Sequence, residues 1–217
     1  MRIPRIILIV AIAFACAPAH AQDAGKSLFD GKSLDGWAHL GPGKMVIEDG
    51  AIRTEGGMGL LWYTREKFGD CILRVVYKTT ARSSNSGVFI RIADKPIDPW
   101  FAVHHGYEVQ ICDGADPFHA TGAVYSMSKA TSIPSKVGAW NTMDITLKGQ
   151  RVLVSLNGVQ VQDFNPETAK IPERTKDYEP ERGPRPTSGC IGLQNHDDVA
   201  KGTQVYFKEI RVLPLAK

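Results

Sequence analysis

Gly106-Tyr107-Glu108-Val109-Gln110-Ile111-Cys112-Asp113 alternates apolar Tyr107, Val109 and Ile111 with polar Glu108 and Gln110. Period-two alternation is the signature of a β-strand with one face in a core and the other turned away from it. The outward face carries a carboxylate and an amide, and Asp113 follows closely. Two acids beside one strand suit acid–base chemistry on a sugar. Alone, such a strand needs nothing more than a wet outer face.

The same rhythm runs through the chain on both sides of that segment. Cys71, Leu73, Val75 and Tyr77 fall in phase between Asp70 and Thr79, and Met143, Ile145 and Leu147 fall in phase between Asn141 and Lys148. Met45 to Arg53 reads as a hairpin around Glu48-Asp49-Gly50. Arg151 to Leu156 and Val159 to Phe164 flank Asn157-Gly158, a type I′ turn signal. Further strands are expected over Ser86 to Ile92, Gly122 to Tyr125, Ile191 to Asn195 and Val205 to Leu213. Short strands, turn residues between them, 21 glycines and no long amphipathic helix predict an all-β fold, an antiparallel sandwich or jelly roll.

Two stretches break the rhythm. Ala93 to His105 holds Pro96, Pro99, Trp100 and two histidines. Residues 165–189 hold five prolines and ten charged residues of balanced sign, with few large apolar side chains. A loop of that length within a domain is expected to cover a cleft, to meet a partner, or to be a solvated insertion.

The first 21 residues read as a leader. Arg2 and Arg5 precede an apolar run from Ile6 to Ala17, and Ala19-His20-Ala21 is a small-x-small cleavage site. The run is short for a membrane span, and no other follows in the mature chain. Export to the periplasm or the extracellular space is expected. Lipid attachment at Cys16 is disfavoured by Phe14 in the lipobox position. Residues 22–217 then form a single domain, long enough for a full core. Removing Arg2 and Arg5 takes away two of the three net positive charges, and near neutrality argues against a nucleic-acid partner. Cys71, Cys112 and Cys190 allow one disulfide at most, and their apolar surroundings suggest small buried hydrophobes. None has a CxxC partner, and no spacing signals zinc.

Applying the same division of faces elsewhere places Tyr125, Gln194 and His196 outward with Glu108 and Gln110. Arg91 shares its phase with Phe89 and is ambiguous. Hydroxyl, amide, carboxylate and guanidinium groups on one sheet face are together the chemistry of sugar recognition. Trp62, Trp100 and Trp140 could add stacking surfaces. His104 and His105 are adjacent, and His105 is taken as the one reaching the cleft. His39 and His119 read as solvated loop residues.

Leu28-Phe29-Asp30-Gly31-Lys32-Ser33-Leu34-Asp35-Gly36-Trp37 resembles the opening signature of the 3-keto-disaccharide hydrolase domain family. Ser84 to Arg91, Gly106 to Ile111, Thr121 to Tyr125, Trp140-Asn141 and Gly192 to His196 continue the resemblance in order. Cys112 and Cys190 depart from the family's pattern. The resemblance implies a concanavalin-A-like jelly-roll β-sandwich of two antiparallel sheets and a carbohydrate partner, a 3-keto-glycoside. A ketone at C3 acidifies the C2 hydrogen, so removing it and expelling the C1 aglycone needs a base, an acid and a clamp for the enolate oxygen. On that basis Glu108 is the base or acid, or a ligand to a cation, and His196 is the partner acid or base. Arg91 is the clamp, and Gln110, Gln194 and Tyr125 meet sugar hydroxyls, with Asp113 and His105 as further contacts. No cofactor is expected, although a divalent cation held by Glu108, Asp113 and a histidine would assist elimination.

Beside this and a structural or partner-binding domain that uses the loop from Asn165 to Gly189, two further alternatives stand. One is a non-catalytic, lectin-like carbohydrate-binding module. The other is a laminarinase-type glycoside hydrolase, because Glu108-x-Gln110-x-x-Asp113 has the spacing of that group's bulged Glu-x-Asp-x-x-Glu motif. Gln110 in place of the middle acid disfavours it, and only a β-bulge would bring Asp113 to the face of Glu108.

Overall fold

The computed structural model describes residues 25–196 and 201–215, so the leader assigned to residues 1–21 lies outside the described residues. Two antiparallel sheets enclose the core. One has the strand order Val159–Phe164 (β11), Arg151–Leu156 (β10), Asn141–Lys148 (β9), Cys71–Thr79 (β6), Val205–Leu213 (β13), Ala51–Glu55 (β4) and Lys44–Glu48 (β3), with Lys26–Ser27 (β1) also pairing with β13. The other runs Trp37–Leu40 (β2), Gly59–Tyr63 (β5), Cys190–Asn195 (β12), Ser86–Ile92 (β7) and Tyr107–Ile111 (β8). This is a jelly-roll β-sandwich, as the alternation predicts.

The inward phases meet between the sheets. Leu73, Val75 and Tyr77 of β6, Met143, Ile145 and Leu147 of β9, and Tyr107, Val109 and Ile111 of β8 share one buried cluster. Each such side chain contributes roughly 1.5–3 kcal/mol by leaving water. The hairpin turns form where expected. Asp49 and Gly50 both have positive φ (49° and 74°), as do Asn157 and Gly158 (51° and 82°), the geometry of type I′ turns that the strand twist favours.

The five-stranded sheet is covered on its outer face as well. The helix Pro99–His105 (α1) crosses it, with Asp98 capping its N-terminus by accepting from the Phe101 N–H at 2.8 Å and Pro99 in the first turn. Ala102 and Val103 press against Leu60, Trp62, Phe89, Ile92 and Cys190, forming a second apolar cluster. The stretch before β8, expected as a loop, thus holds a helix, and Trp62 belongs to the packing beneath it.

Gly122 to Tyr125, expected as a strand, is instead a folded turn alongside β8. Val124 makes single bridges to Val109 and Ser128, and Gly122 (φ 87°) and Ser126 (φ 59°) reverse the chain at either end. Cys71, Cys112 and Cys190 are free thiols. No helix among the described residues is long and apolar enough to cross a membrane.

Candidate functional site

A cleft of about 330 Å³ opens on the outer face of the five-stranded sheet, beside α1. Glu108 and Gln110 of β8 and Gln194 of β12 form its floor. Trp100 and Val103 of α1 form one wall, and Met58 joins the lining from the segment before β5. Tyr125 and Tyr178 rise elsewhere on the rim, and Asn85 and His196 complete the site. Its volume and mixture of apolar walls with a few polar groups suit a small-molecule ligand.

Glu108 is 4 % exposed. Its carboxyl sits over Gly87 on the neighbouring strand, where a Cβ would lie 2.2 Å from Oε1, so only glycine leaves it room. Burial alone, with no charged neighbour contributing, pushes its pKa up to about 8. At neutral pH the carboxyl is therefore mostly protonated. Tyr125 is anchored by its backbone N–H, which donates to Glu108 O at 2.9 Å, and its ring meets His119 edge-on at 4.9 Å. Burial and then the Glu108 charge raise the Tyr125 hydroxyl's pKa, so it stays a donor. His119, expected to be merely solvated, braces this ring and is itself paired with Asp116 at 2.6 Å.

Gln194 is buried on the floor, and its Oε1 has no partner among the described residues. Gln110 is differently placed. Its side-chain amide lies 3.0 Å from Ser86 O, 2.8 Å from Glu108 Oε1 and 3.2 Å from the Asn85 amide, and Asn85 in turn lies 3.1 Å from His196 Nδ1. Its hydrogen bonds are thus made within the protein.

Three expected site residues lie elsewhere. In a regular strand Arg91 would share the outward phase of Phe89. A bulge in β7 opposite Ile191, where Arg91 takes a φ of 60°, breaks that phase. Its guanidinium turns instead to the end of the sandwich, donating to Gly149 O at 2.8 Å and lying 3.8 Å from Asp70. Asp113 is buried, accepting from the Thr121 and Ser135 hydroxyls at 2.6 Å each. The β7–β8 register carries no bulge up to Ile111, and Asp113 lies beyond the strand, in the turn that follows it. The laminarinase-like spacing therefore brings no second acid to the cleft, and Glu108 and Asp113 share no site for a cation. Among the described residues no three His, Cys, Asp or Glu side chains gather as metal ligands. His105 stands in the last turn of α1, 3.5 Å from Glu181, and lines a separate cavity of about 300 Å³ with Phe101 and Arg185.

Of the tryptophans, Trp100 (40 % exposed) reaches the cleft, whereas Trp140 lies between Lys78 and Lys208 on the other sheet. The long segment 165–189 is not a free insertion, although much of it is exposed to solvent. Arg185, itself buried, donates to the carbonyls of Gly106, His104 and Glu181, and the Tyr107 hydroxyl donates to Gly183 O. This strap brings Tyr178 to the cleft rim. Tyr178, Asn85, Met58 and Val103 were not singled out as site residues from sequence. Tyr178 is the one aromatic of the strap, and Asn85 immediately precedes the strand that pairs with β8, the available signals for each.

The chain is similar to several solved structures. A Parabacteroides distasonis protein described as a candidate glycosyl hydrolase is 26 % identical, with 88 % of this chain and 98 % of that one covered and a TM-score of 0.66. Likeness of fold alone extends to the carbohydrate-binding module CBM66 of Bacillus subtilis (14 % identity, 82 % and 95 % covered, TM-score 0.54). It extends also to a galectin-like protein of Bacillus subtilis (13 % identity, 82 % and 89 % covered, TM-score 0.57). No curated protein sequence matches the chain. The model of the 3-keto-alpha-glucoside-1,2-lyase-like domain matches residues 24–213, which spans the sandwich, the strap and every residue of the cleft, and the chain belongs to that family.

Proposed function

We propose that this protein is an exported enzyme that cleaves 3-keto-glycosides by elimination, with water addition completing a net hydrolysis. The observation that carries the proposal is Glu108, a buried carboxyl with no compensating cation among the described residues, on the floor of a cleft that also holds a histidine. A carboxyl pushed up to about 8 is a proton donor at neutral pH. Histidine is the side chain whose ordinary titration lies near that pH.

His196 removes the C2 proton, and the C2–H electron pair forms the enolate with the C3 ketone. The enolate then expels the C1 substituent as the C1–O bond breaks, and Glu108 gives its proton to the departing oxygen. The products are an unsaturated keto sugar and the free aglycone alcohol. Water adding across the new double bond yields the free 3-keto sugar. With Arg91 absent from the cleft, the Tyr125 hydroxyl and the Gln194 amide are the donors available to the developing enolate oxygen. Gln194 Oε1, without a protein partner among the described residues, is suited to accept from a sugar hydroxyl. Trp100 and Tyr178 supply rim surfaces against which a pyranose ring can pack.

Incubation with a glucoside and with its 3-keto form tests the reading. Aglycone release is expected from the 3-keto form alone, and Glu108→Gln should lower turnover by roughly 10²–10⁴-fold, the usual worth of an acid–base group. Binding of the unmodified sugar with no turnover of either form would make the protein a binding module instead. Export is checked by the mass of the chain recovered outside the cytoplasm, which should begin at Gln22.

A further inference from the structure

We propose that Asn85, acting with Gln110, is a positioning residue that holds His196 as its Nδ1–H tautomer and leaves Nε2 bare toward the cleft. This deepens the acid–base reading of the cleft and rests on it for its catalytic meaning, but the hydrogen-bond logic stands on the geometry alone.

The chain of bonds has a fixed direction because one end cannot donate. The Gln110 amide lies 3.0 Å from Ser86 O, a backbone carbonyl that only accepts. The Gln110 NH₂ group must therefore face Ser86, and the same group reaches Glu108 Oε1 at 2.8 Å. Gln110 then turns its oxygen to Asn85, 3.2 Å away, so Asn85 presents its own NH₂ there. The other Asn85 amide atom lies 3.1 Å from His196 Nδ1, and the order of the chain assigns it as the oxygen. An oxygen facing Nδ1 requires a proton on that nitrogen, and in a neutral imidazole the other nitrogen then carries the lone pair.

Both ends of the relay gain an assigned role. Glu108 Oε1 accepts from Gln110, so the carboxyl proton belongs on Oε2, the oxygen that Gln110 does not engage. His196 offers Nε2 as the base. Gln110, expected from sequence to meet a sugar hydroxyl, instead transmits orientation between the acid and the base.

The test is the ¹⁵N spectrum of the imidazole in the full mature protein, at a pH where histidine is neutral, with the His196 signals assigned by their loss in His196→Gln. The wild type is expected to show a protonated Nδ1 and a bare Nε2. Asn85→Leu removes the acceptor at similar volume and should return His196 to the Nε2–H tautomer that free imidazole prefers. Asn85→Asp restores an acceptor and should keep Nδ1–H. A wild type already in the Nε2–H form, or Asn85→Leu still in the Nδ1–H form, would overturn the proposal. The wild-type spectrum decides even if the leucine variant does not fold. On a 3-keto-glucoside, Asn85→Leu should lose roughly 10²–10⁴-fold in kcat with KM little changed, the range for a lost acid–base group. If no 3-keto-glycoside is turned over by the wild type, the function proposed above falls while the tautomer assignment remains decided by the spectrum.

Discussion

At the scale of single residues, Glu108 ties the cleft to stability. Its carboxyl ordinarily titrates at 4.5 and in the fold near 8, because burial penalises the charged form. Between those values the folded protein holds more protons than the unfolded chain, so stability falls as pH rises through the window and levels off above it. The slope is about 1.4 kcal/mol per pH unit for one group, giving a total on the order of 5 kcal/mol across the window. Glu108→Gln cannot ionise and escapes the loss. Urea unfolding of both proteins at pH 5, 7 and 9 should show a difference that grows with pH in favour of the variant. A difference that stays constant from pH 5 to 9 would mean that the carboxyl is not desolvated. The same residue was legible in the sequence, because strict alternation places Glu108 and Gln194 on the outer face whatever surrounds them. Asp113, expected as a further sugar contact, is held away from the cleft by the Thr121 and Ser135 hydroxyls, which carry no signal in the strand pattern. Arg91 was not legible. One residue with positive φ inverts the phase after it, and nothing in Ile90-Arg91-Ile92 announces that bulge.

At the scale of elements, Arg185 anchors the strap 165–189 to the end of α1, while Ala169 and Ile171 pack its earlier part against the core. The guanidinium is buried, donates to the His104 and Gly106 carbonyls at the end of α1 and to the Glu181 and Gly183 carbonyls of the strap, and lies 5.1 Å from the Tyr107 ring centre. Arg185→Ala leaves those carbonyls and the ring face uncovered, at a cost on the order of 2–3 kcal/mol for lost charge-assisted bonds. The strap should then be cut within residues 165–189 at least about tenfold faster by a protease, since cleavage follows the population of the opened segment. KM for the keto substrate should rise more than kcat falls, because Tyr178 sits on the rim and not at the reacting atoms. Unchanged protease resistance would show that the other strap contacts suffice. Composition had identified this segment as exceptional without saying where it would lie, since its anchors are backbone carbonyls that carry no sequence signal. Helix α1 escaped notice for a related reason. Seven residues give too few turns for a 3.6-residue period to stand out. The run Gly59-Leu60-Leu61-Trp62-Tyr63 lacks alternation because α1 and its neighbours bury the second face of β5.

At the scale of the whole molecule, the sandwich has two apolar clusters on opposite faces of one sheet, and its thiols report on them separately. Cys71 begins β6, flanked by β9 and β13, and packs in the cluster between the sheets. Burial pushes its pKa up to about 11, with the Arg91 charge only partly opposing this. Cys190 lies in the smaller cluster under α1, and burial raises its pKa as well. Alkylation needs an accessible thiolate, so both are expected to react only through opened states. Exposing Cys71 requires the two sheets to separate, which is global unfolding. Exposing Cys190 requires only that a seven-residue helix and its strap lift from the outer face. Pulsed alkylation in rising urea, read peptide by peptide by mass spectrometry, should give Cys71 an opening free energy equal to that of global unfolding. Cys190 should open at a lower free energy with a weaker urea dependence, and Arg185→Ala should lower it further while leaving the Cys71 value above it. Equal protection at both thiols would instead show that α1, the strap and the sandwich unfold as one unit, so that the cleft wall formed by Trp100 could not move independently of the core.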